Sequence, residues 1–395
     1  MALPPLDYDL VCPRQIVFGW GRRSEVGRLA RGLGRRAFLV VGAKPLAEQG
    51  LVAEIADRLR AEQVEAVEVA TLLHEPEVAD VDRLAAELRD RRAGHGDLML
   101  AVGGGAAIDL AKAAGAMATD QQSPTVRDYL ENVGRDLKIV ETPLPVLAMP
   151  TTAGTGAEAT RNAVISSYDP PFKKSLRDTR ILPQIALVDP ELTVSVPREV
   201  TAASGMDAIT QLLESYLSRK SRPIPQALAR QGLRLALPAI AEAVARPTSR
   251  EAREAMSHAA LLSGICLANS GLGMAHGVAA ALGVHCHAPH GAACALMLPV
   301  ALRVNREVRA AEMAELARDL FGLGREVPTD EAADELIGQI DGLCREVGVP
   351  SRLGELGVRR EQIPDLVAAS RGSSMSGNPR ELSDAELTGL LEQLL

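Results

Sequence analysis

Aromatic side chains are scarce: one Trp, four Tyr and four Phe in 395 residues. So few rings exclude a base-stacking platform for single-stranded nucleic acid and leave the core to Leu, Val, Ile and Ala. Cysteine is equally sparse: Cys12, Cys266, Cys286, Cys294 and Cys344 are odd in number, scattered and free of CxxC spacing. They read as reduced thiols, some buried as small apolar residues, rather than as a disulfide framework. No basic excess exists, because 43 Lys and Arg face 51 Asp and Glu for a net charge of −8. That balance argues against a dedicated nucleic-acid partner, which needs a basic face for phosphates. No uninterrupted apolar run reaches the roughly 18 residues a spanning helix needs, so no membrane partner is expected. Met1 to Asp9 shows no basic segment followed by an apolar one, so no secretory leader is read there and a cytoplasmic location is expected. What remains, 47% apolar and 24% charged residues, is an ordinary globular balance.

At about 150 residues per domain the length predicts two to three domains. In the first half, short apolar runs alternate with helical patterns. Arg36–Gly42, Val64–Thr71, Leu98–Val102, Pro145–Met149 and Ile185–Val188 read as strands, while Leu51–Leu59, Val81–Arg92 and Ile108–Ala118 read as helices. This alternation predicts βαβ units around a parallel sheet. The pattern changes near Val196–Val200, and from Ala202 onward it is helical throughout. The expected organisation is an α/β domain over 1–197 and an all-helical domain over 198–395.

Gly103-Gly104-Gly105-Ala106-Ala107-Ile108-Asp109 follows a strand and opens a helix, with Lys112 one turn on. Glycines let the backbone turn tightly and approach a ligand, and a helix start offers N–H groups and a positive dipole end. The stretch therefore suits a pyrophosphate, the alternative being a tight turn with no ligand. Gly19-Trp20-Gly21-Arg22-Arg23-Ser24 nearly spells a second phosphate loop but lacks its last glycine, and it reads as a turn. Pro150-Thr151-Thr152-Ala153-Gly154-Thr155-Gly156-Ala157-Glu158 places hydroxyls after a strand and suits a second wall of a cofactor cleft. Asp207 and Gln211 are four apart on one helix face, and His276 and His290 follow at a distance. One carboxylate and two imidazoles suffice for a divalent ion with a position left open. Spacing alone equally allows a core His276 and a solvated turn at His285, His287 and His290.

These residues resemble the iron-containing (group III) alcohol dehydrogenases, which belong with glycerol dehydrogenase and dehydroquinate synthase. The resemblance runs through Phe18-Gly19-Trp20-Gly21, Glu75-Pro76, GGGAAID at 103–109 with Lys112, PTTAGTGAEAT at 150–160 and Asp189-Pro190. It continues through GMDAITQLLESY at 205–216, GLGMAHG at 271–277, APHG at 288–291 and Asn378-Pro379-Arg380. It implies a dehydroquinate synthase-like architecture: a nucleotide-binding α/β domain, a helical metal domain and an active site between them. The pyrophosphate loop falls on Gly104, Gly105 and Ala106, opening the helix of Asp109, with Ala106 where the family usually has Ser. Nicotinamide-side contacts fall on Thr151, Thr152 and Thr155, with Val164 nearby and Lys173 or Lys174 as the basic contact. The family's Asp, His, His, His metal set falls on Asp207, Gln211, His276 and His290, and the last three are the expected catalytic residues.

Two departures matter. Gln211 replaces an imidazole by a weaker, harder amide oxygen, so Fe²⁺ or Zn²⁺ should bind less tightly. Ala280 stands where many relatives carry a further His, which leaves any proton relay to His287 or a water. The first strand ends in Gly42-Ala43-Lys44, where relatives preferring NAD often place Asp. Without that carboxylate a 2′-phosphate is not repelled and Lys44 can pair with it, which favours tolerance of NADP besides NAD. The expected reaction is metal-assisted hydride transfer between NAD(P)H and a small carbonyl compound, by a homo-oligomer. The altered ligand set keeps two alternatives open: a metal-independent reductase resembling maleylacetate reductase, and a non-catalytic nucleotide-binding relative. A phosphate-handling lyase is a weaker rival, because Lys173, Lys174, Arg177 and Arg180 find no matching motif in the helical half.

Overall fold

The computed structural model describes residues 7–42 and 47–395, and the chain divides into two compact units, Val11–Val196 and Pro197–Leu395 together with residues 7–10. In the first unit β1 (Gln15–Phe18), β2 (Arg36–Val41), β3 (Glu65–Thr71), β4 (Asp97–Gly103), β5 (Val146–Pro150) and β8 (Ile185–Val188) form one sheet. Its order is β1-β8-β5-β4-β2-β3 and every pair is parallel. A parallel sheet must be covered on both faces. The strands supply apolar side chains to both: Phe38, Val40, Met99 and Ala101 enter one core, and Leu39, Leu98, Leu100 and Val102 the other. The first face carries α3 (Val78–Asp90) and α4 (Gly105–Thr119), through Val81, Leu84, Leu88, Ile108 and Leu110. The second carries α1 (Val26–Arg31) and α2 (Leu51–Ala61), through Val26, Leu29, Leu51, Ile55 and Leu59.

Strand order reverses between β2 and β4: from β2 the chain moves outward to β3, then returns to β4 and proceeds to β5 on the other side. Crevices at such switch points, beyond the carboxyl ends of the strands, are where open α/β sheets bind ligands. The ends of β2, β4 and β5 lie in register there, with Val41 beside Val102 and Gly103 beside Pro150.

Two features escape the sequence pattern. β1 is a four-residue edge strand, too short for a periodic signal. An antiparallel hairpin of β6 (Asn162–Tyr168) and β7 (Pro171–Arg177) stands outside the main sheet, and its strands carry neither a continuous apolar run nor a strict alternation.

The second unit is helical: α5 (Arg198–Leu217), α6 (Pro223–Ala245), α7 (Arg250–Ser270), α8 (Met274–Cys286), α9 (His290–Phe321), α10 (Thr329–Val347), α11 (Ile363–Ala369) and α12 (Asp384–Gln393). Its central helices are buried almost all round, and α5 is buried from Gly205 to Leu217 without a break. Asp207, Gln211 and Glu214 are therefore enclosed by packing and must find partners inside the protein.

Candidate cofactor and metal sites

At the switch point the polypeptide is packed too tightly for side chains. A Cβ on Gly103 would lie 2.7 Å from the Cα of Gly42, and one on Gly42 would lie 2.6 Å from the Cβ of Ala107. Gly104 starts α4, whose first turn has no side-chain cap, so Gly104, Gly105 and Ala106 present a half-buried helix N-terminus. The threonine loop lies directly against it. Thr151 donates its N–H to the Gly103 carbonyl at 3.0 Å, and a Cβ on Gly105 would meet Thr155 Oγ1 at 2.6 Å. The glycine turn and Thr151, Thr152 and Thr155 thus form one continuous surface, with Gly42 beside it. Lys44 lies outside the described residues.

Asp109 and Lys112 hold this surface from below. Lys112 is fully buried and donates to Thr160 Oγ1 at 2.9 Å, to the Asn162 carbonyl at 3.0 Å and to the Ala157 carbonyl, with Asp109 at 3.5 Å. Asp109 in turn accepts the Val164 N–H at 3.0 Å. One ion pair on α4 therefore fixes both the end of the threonine loop and the start of the hairpin. Burial pushes the Asp109 carboxyl up and the Lys112 amine down, and their mutual attraction opposes both shifts. Glu158, also buried, is pushed up to about 7 by desolvation, against its backbone hydrogen bond and the charge of Lys112. Lys173 is committed elsewhere: its Nζ lies 2.6 Å from Glu75 Oε1. The second glycine stretch holds a carboxylate of the chain itself, since Asp189 accepts the N–H groups of Gly21 at 2.9 Å and Arg23 at 3.0 Å.

In the helical unit, Asp207 from α5, His276 from α8 and His290 and Cys294 from α9 converge, each offering a ligand atom within 4.8 Å of the others. His276 Nε2 lies 3.1 Å from Asp207 Oδ1, the two imidazole centroids are 5.6 Å apart, and Cys294 Sγ is 3.7 Å from His290 Nε2. Burial would raise the Asp207 carboxyl, but the His276 hydrogen bond, the two histidines' charge and the Gln211 hydrogen bond outweigh it and hold it at about 2. Burial would likewise lower the His276 imidazole, and Cys294, Asp207 and Glu214 reverse this to raise it well above its ordinary value. Burial, with the nearby Asp207 and Glu214 carboxylates, pushes the Cys294 thiol up to about 12 against the pull of His276. Gln211 stands beside the cluster, hydrogen-bonded to Asp207, while its Oε1 accepts the Ser263 hydroxyl at 3.0 Å.

The start of α8 is capped by two distant side chains. Glu214 Oε1 accepts the Ala275 N–H at 2.7 Å, and Asn378 Oδ1 accepts the Met274 N–H at 3.1 Å. A Cβ on Gly273 would lie 2.8 and 2.9 Å from those oxygens, which explains the glycine in GLGMAHG.

The model of the iron-containing alcohol dehydrogenase family matches residues 13–190, and that of the family's C-terminal domain matches residues 201–395. The chain belongs to the iron-containing alcohol dehydrogenase family. It is 32% identical to long-chain-alcohol dehydrogenase 1 of Geobacillus thermodenitrificans, across 99% of this chain and 95% of that protein. It is 32% identical to 1,3-propanediol dehydrogenase of Klebsiella pneumoniae, across 98% of each. A crystal structure of 1,3-propanediol oxidoreductase superposes with a TM-score of 0.91 at 30% identity, over 98% of this chain and all of the other. The protein is thus an NAD(P)-dependent oxidoreductase of alcohols and their aldehydes or ketones, in a family that uses iron or another divalent metal.

The donors present fit such an ion. Tetrahedral bonds of about 2.0–2.3 Å set donor atoms roughly 3.3–3.7 Å apart, close to the spacings seen in this family member. One buried carboxylate with two imidazoles is an ordinary catalytic donor set. Two members of the site went unread in the sequence. Cys294 is four residues after His290, so helical spacing alone places them on one face. Glu214 lies seven after Asp207, two helical turns on and on the same helix face, a spacing that alone was able to point to it.

Proposed function

We propose that this enzyme interconverts a small alcohol and its carbonyl form, with the unit Val11–Val196 binding NAD(P) and the helical unit binding the metal through Asp207, His276 and His290. The single observation carrying this reading is the convergence of a buried carboxylate, a buried imidazole and a half-buried one, drawn from three helices. NAD(P) supplies the hydride carrier, and a divalent ion, when bound, supplies Lewis-acid polarisation of the substrate oxygen.

The chain's own residues bind and orient. Gly104, Gly105 and Ala106 offer the N–H groups and positive end of α4 to the pyrophosphate. Thr151, Thr152 and Thr155 hold the nicotinamide side by hydroxyl contacts, and Gly42 lets the adenosine end approach. Asp109 fixes the Val164 N–H and thereby the hairpin beside the cofactor. Lys173, neutralised by Glu75, screens the cofactor's charge only in part. The sequence Gly42-Ala43-Lys44 carries a cation and no carboxylate to repel a 2′-phosphate, so NADP should be accepted besides NAD, and Lys44→Ala should raise the KM for NADPH and leave that for NADH unchanged. Gln211, hydrogen-bonded to Asp207, keeps that carboxylate turned toward the histidines.

The test is nicotinamide absorbance with a panel of short aldehydes and ketones, with Fe²⁺ or Zn²⁺ added. Turnover dependent on the metal is expected, and silence across the whole panel refutes the proposal. A metal-independent reductase is the second reading, and it draws on Gln211, whose amide oxygen accepts the Ser263 hydroxyl at 3.0 Å and is a weaker, harder donor than the imidazole usual there. Metal analysis of the wild type beside Gln211→His separates the two. The enzyme is further proposed to be a cytoplasmic homo-oligomer without nucleic-acid or membrane partners, its mass to be read by light scattering. In support, the charge is acidic and no single helix among the described residues is long and apolar enough to cross a membrane.

A further inference from the structure

The geometry points to Cys294 as a fourth metal ligand, its thiolate joining Asp207, His276 and His290. The inference rests on the metal reading above and adds to it the identity of the donor that makes the site soft. Three observations support it.

First, the sulfur belongs to the cluster. Its Sγ lies 3.7 Å from His290 Nε2 and within 4.8 Å of every other donor atom. A sulfur and a nitrogen at near-tetrahedral angles on one ion are separated by about that distance, given bonds near 2.3 and 2.0–2.1 Å, and the substrate oxygen would then join as a fifth ligand. His290 and Cys294 stand one turn apart on α9, so a single rigid helix presents both.

Second, the competing fourth donor is the weaker one. Gln211 occupies the equivalent place one turn after Asp207 on α5, but it offers a hard amide oxygen that already accepts the Ser263 hydroxyl at 3.0 Å. A soft-leaning divalent ion favours the sulfur that α9 presents one turn after His290.

Third, the buried sulfur of Cys266 and the half-buried one of Cys344 are used differently. Cys266 points at the Pro225 carbonyl at 3.3 Å and Cys344 at the Ala295 carbonyl at 3.8 Å, ordinary resting places for a buried thiol. Cys294 instead faces an imidazole and a carboxylate.

On binding, the S–H bond breaks, its proton passes to solvent and an S–metal bond forms, with no change of oxidation state. A thiolate beside two imidazoles selects Zn²⁺, Co²⁺ or Fe²⁺ and discriminates against Mg²⁺ and Mn²⁺. The sequence thus offsets one softer ligand lost at position 211 with another gained at position 294.

The test is Co²⁺ titration of the full-length protein, followed by its absorption spectrum. Wild type should bind one Co²⁺ and show a near-ultraviolet thiolate-to-cobalt charge-transfer band. Cys294→Ser should lose the band and bind Co²⁺ at least about tenfold more weakly, while the triple variant Cys12→Ser, Cys286→Ser, Cys344→Ser should keep both. Zinc X-ray absorption of wild type should show one sulfur scatterer at about 2.3 Å. Stoichiometric Co²⁺ without the band, or a zinc shell without sulfur, overturns Cys294 as a ligand and leaves the three-residue site standing. Failure to bind any Co²⁺ or Zn²⁺ overturns both. Should Cys294→Ser fail to fold by circular dichroism, the zinc shell and the triple variant decide the matter.

Discussion

Glu214 grips His276 from both sides of the peptide: its Oε2 lies 2.7 Å from the imidazole Nδ1, and its Oε1 accepts the N–H of Ala275, the preceding residue. One buried carboxylate thus fixes the ring and the helix start that carries it. A carboxylate on the far nitrogen of a ligand histidine sets its tautomer and raises its basicity.

Glu214→Gln keeps an acceptor for one of these bonds and removes the negative charge. It should weaken metal binding by about 10–100-fold with the fold intact. Competition against a chelator of known affinity measures this, and an unchanged affinity would remove Glu214 from the site.

Lys112→Met leaves Asp109 buried without its cation and strips a donor from two carbonyls. Breaking one side of a buried pair costs about 3–5 kcal/mol, so a comparable loss is expected in urea unfolding. Adding Asp109→Asn should restore part of it, and strict additivity of the two changes would deny the coupling.

Glu158 gives a pH signature with a definite sign. Its folded pKa of about 7 stands above the ordinary value of 4.5, so between these values the folded state holds the extra proton. Stability then falls as pH rises through that window and levels off above it. Glu158→Gln removes this penalty: the variant should match wild type near pH 4 and exceed it at pH 8 by up to about 3 kcal/mol. Thermal unfolding at both pH values checks it, and a gain of equal size at pH 4 would point to another cause.

Gly105→Ala tests the joined loops. The added methyl meets Thr155 Oγ1 at 2.6 Å and must displace the threonine or the helix start. NAD(P)H binding, read by fluorescence titration, should weaken about tenfold, since a displacement of about 1 Å can cost far more. An unchanged affinity would show that the two loops are not joined at this contact.

The strand-to-helix alternation of the first half was legible because buried parallel strands such as Leu98–Val102 are continuous apolar runs bounded by glycine. The glycine turn was legible as a tight strand-to-helix turn open to a ligand, but the structure gives Gly103 a further reason that the sequence did not show: a Cβ there would meet the backbone of Gly42. The hairpin was hidden, because Asn162–Arg177 mixes Ser and Lys into both strands and its register depends on each strand finding the other.

For the site, the order of residues along the chain determined which side chains were able to serve: a carboxylate, an amide and imidazoles, with a glycine turn for an anion. Only the tertiary structure decided which of them meet. It turned the Gln211 carbonyl toward Ser263, brought Cys294 beside His290, and set Glu214 behind His276. The reason is physical: helical spacing fixes neighbours within one helix, but contacts among α5, α8 and α9 follow from how apolar faces pack, and no local pattern records that.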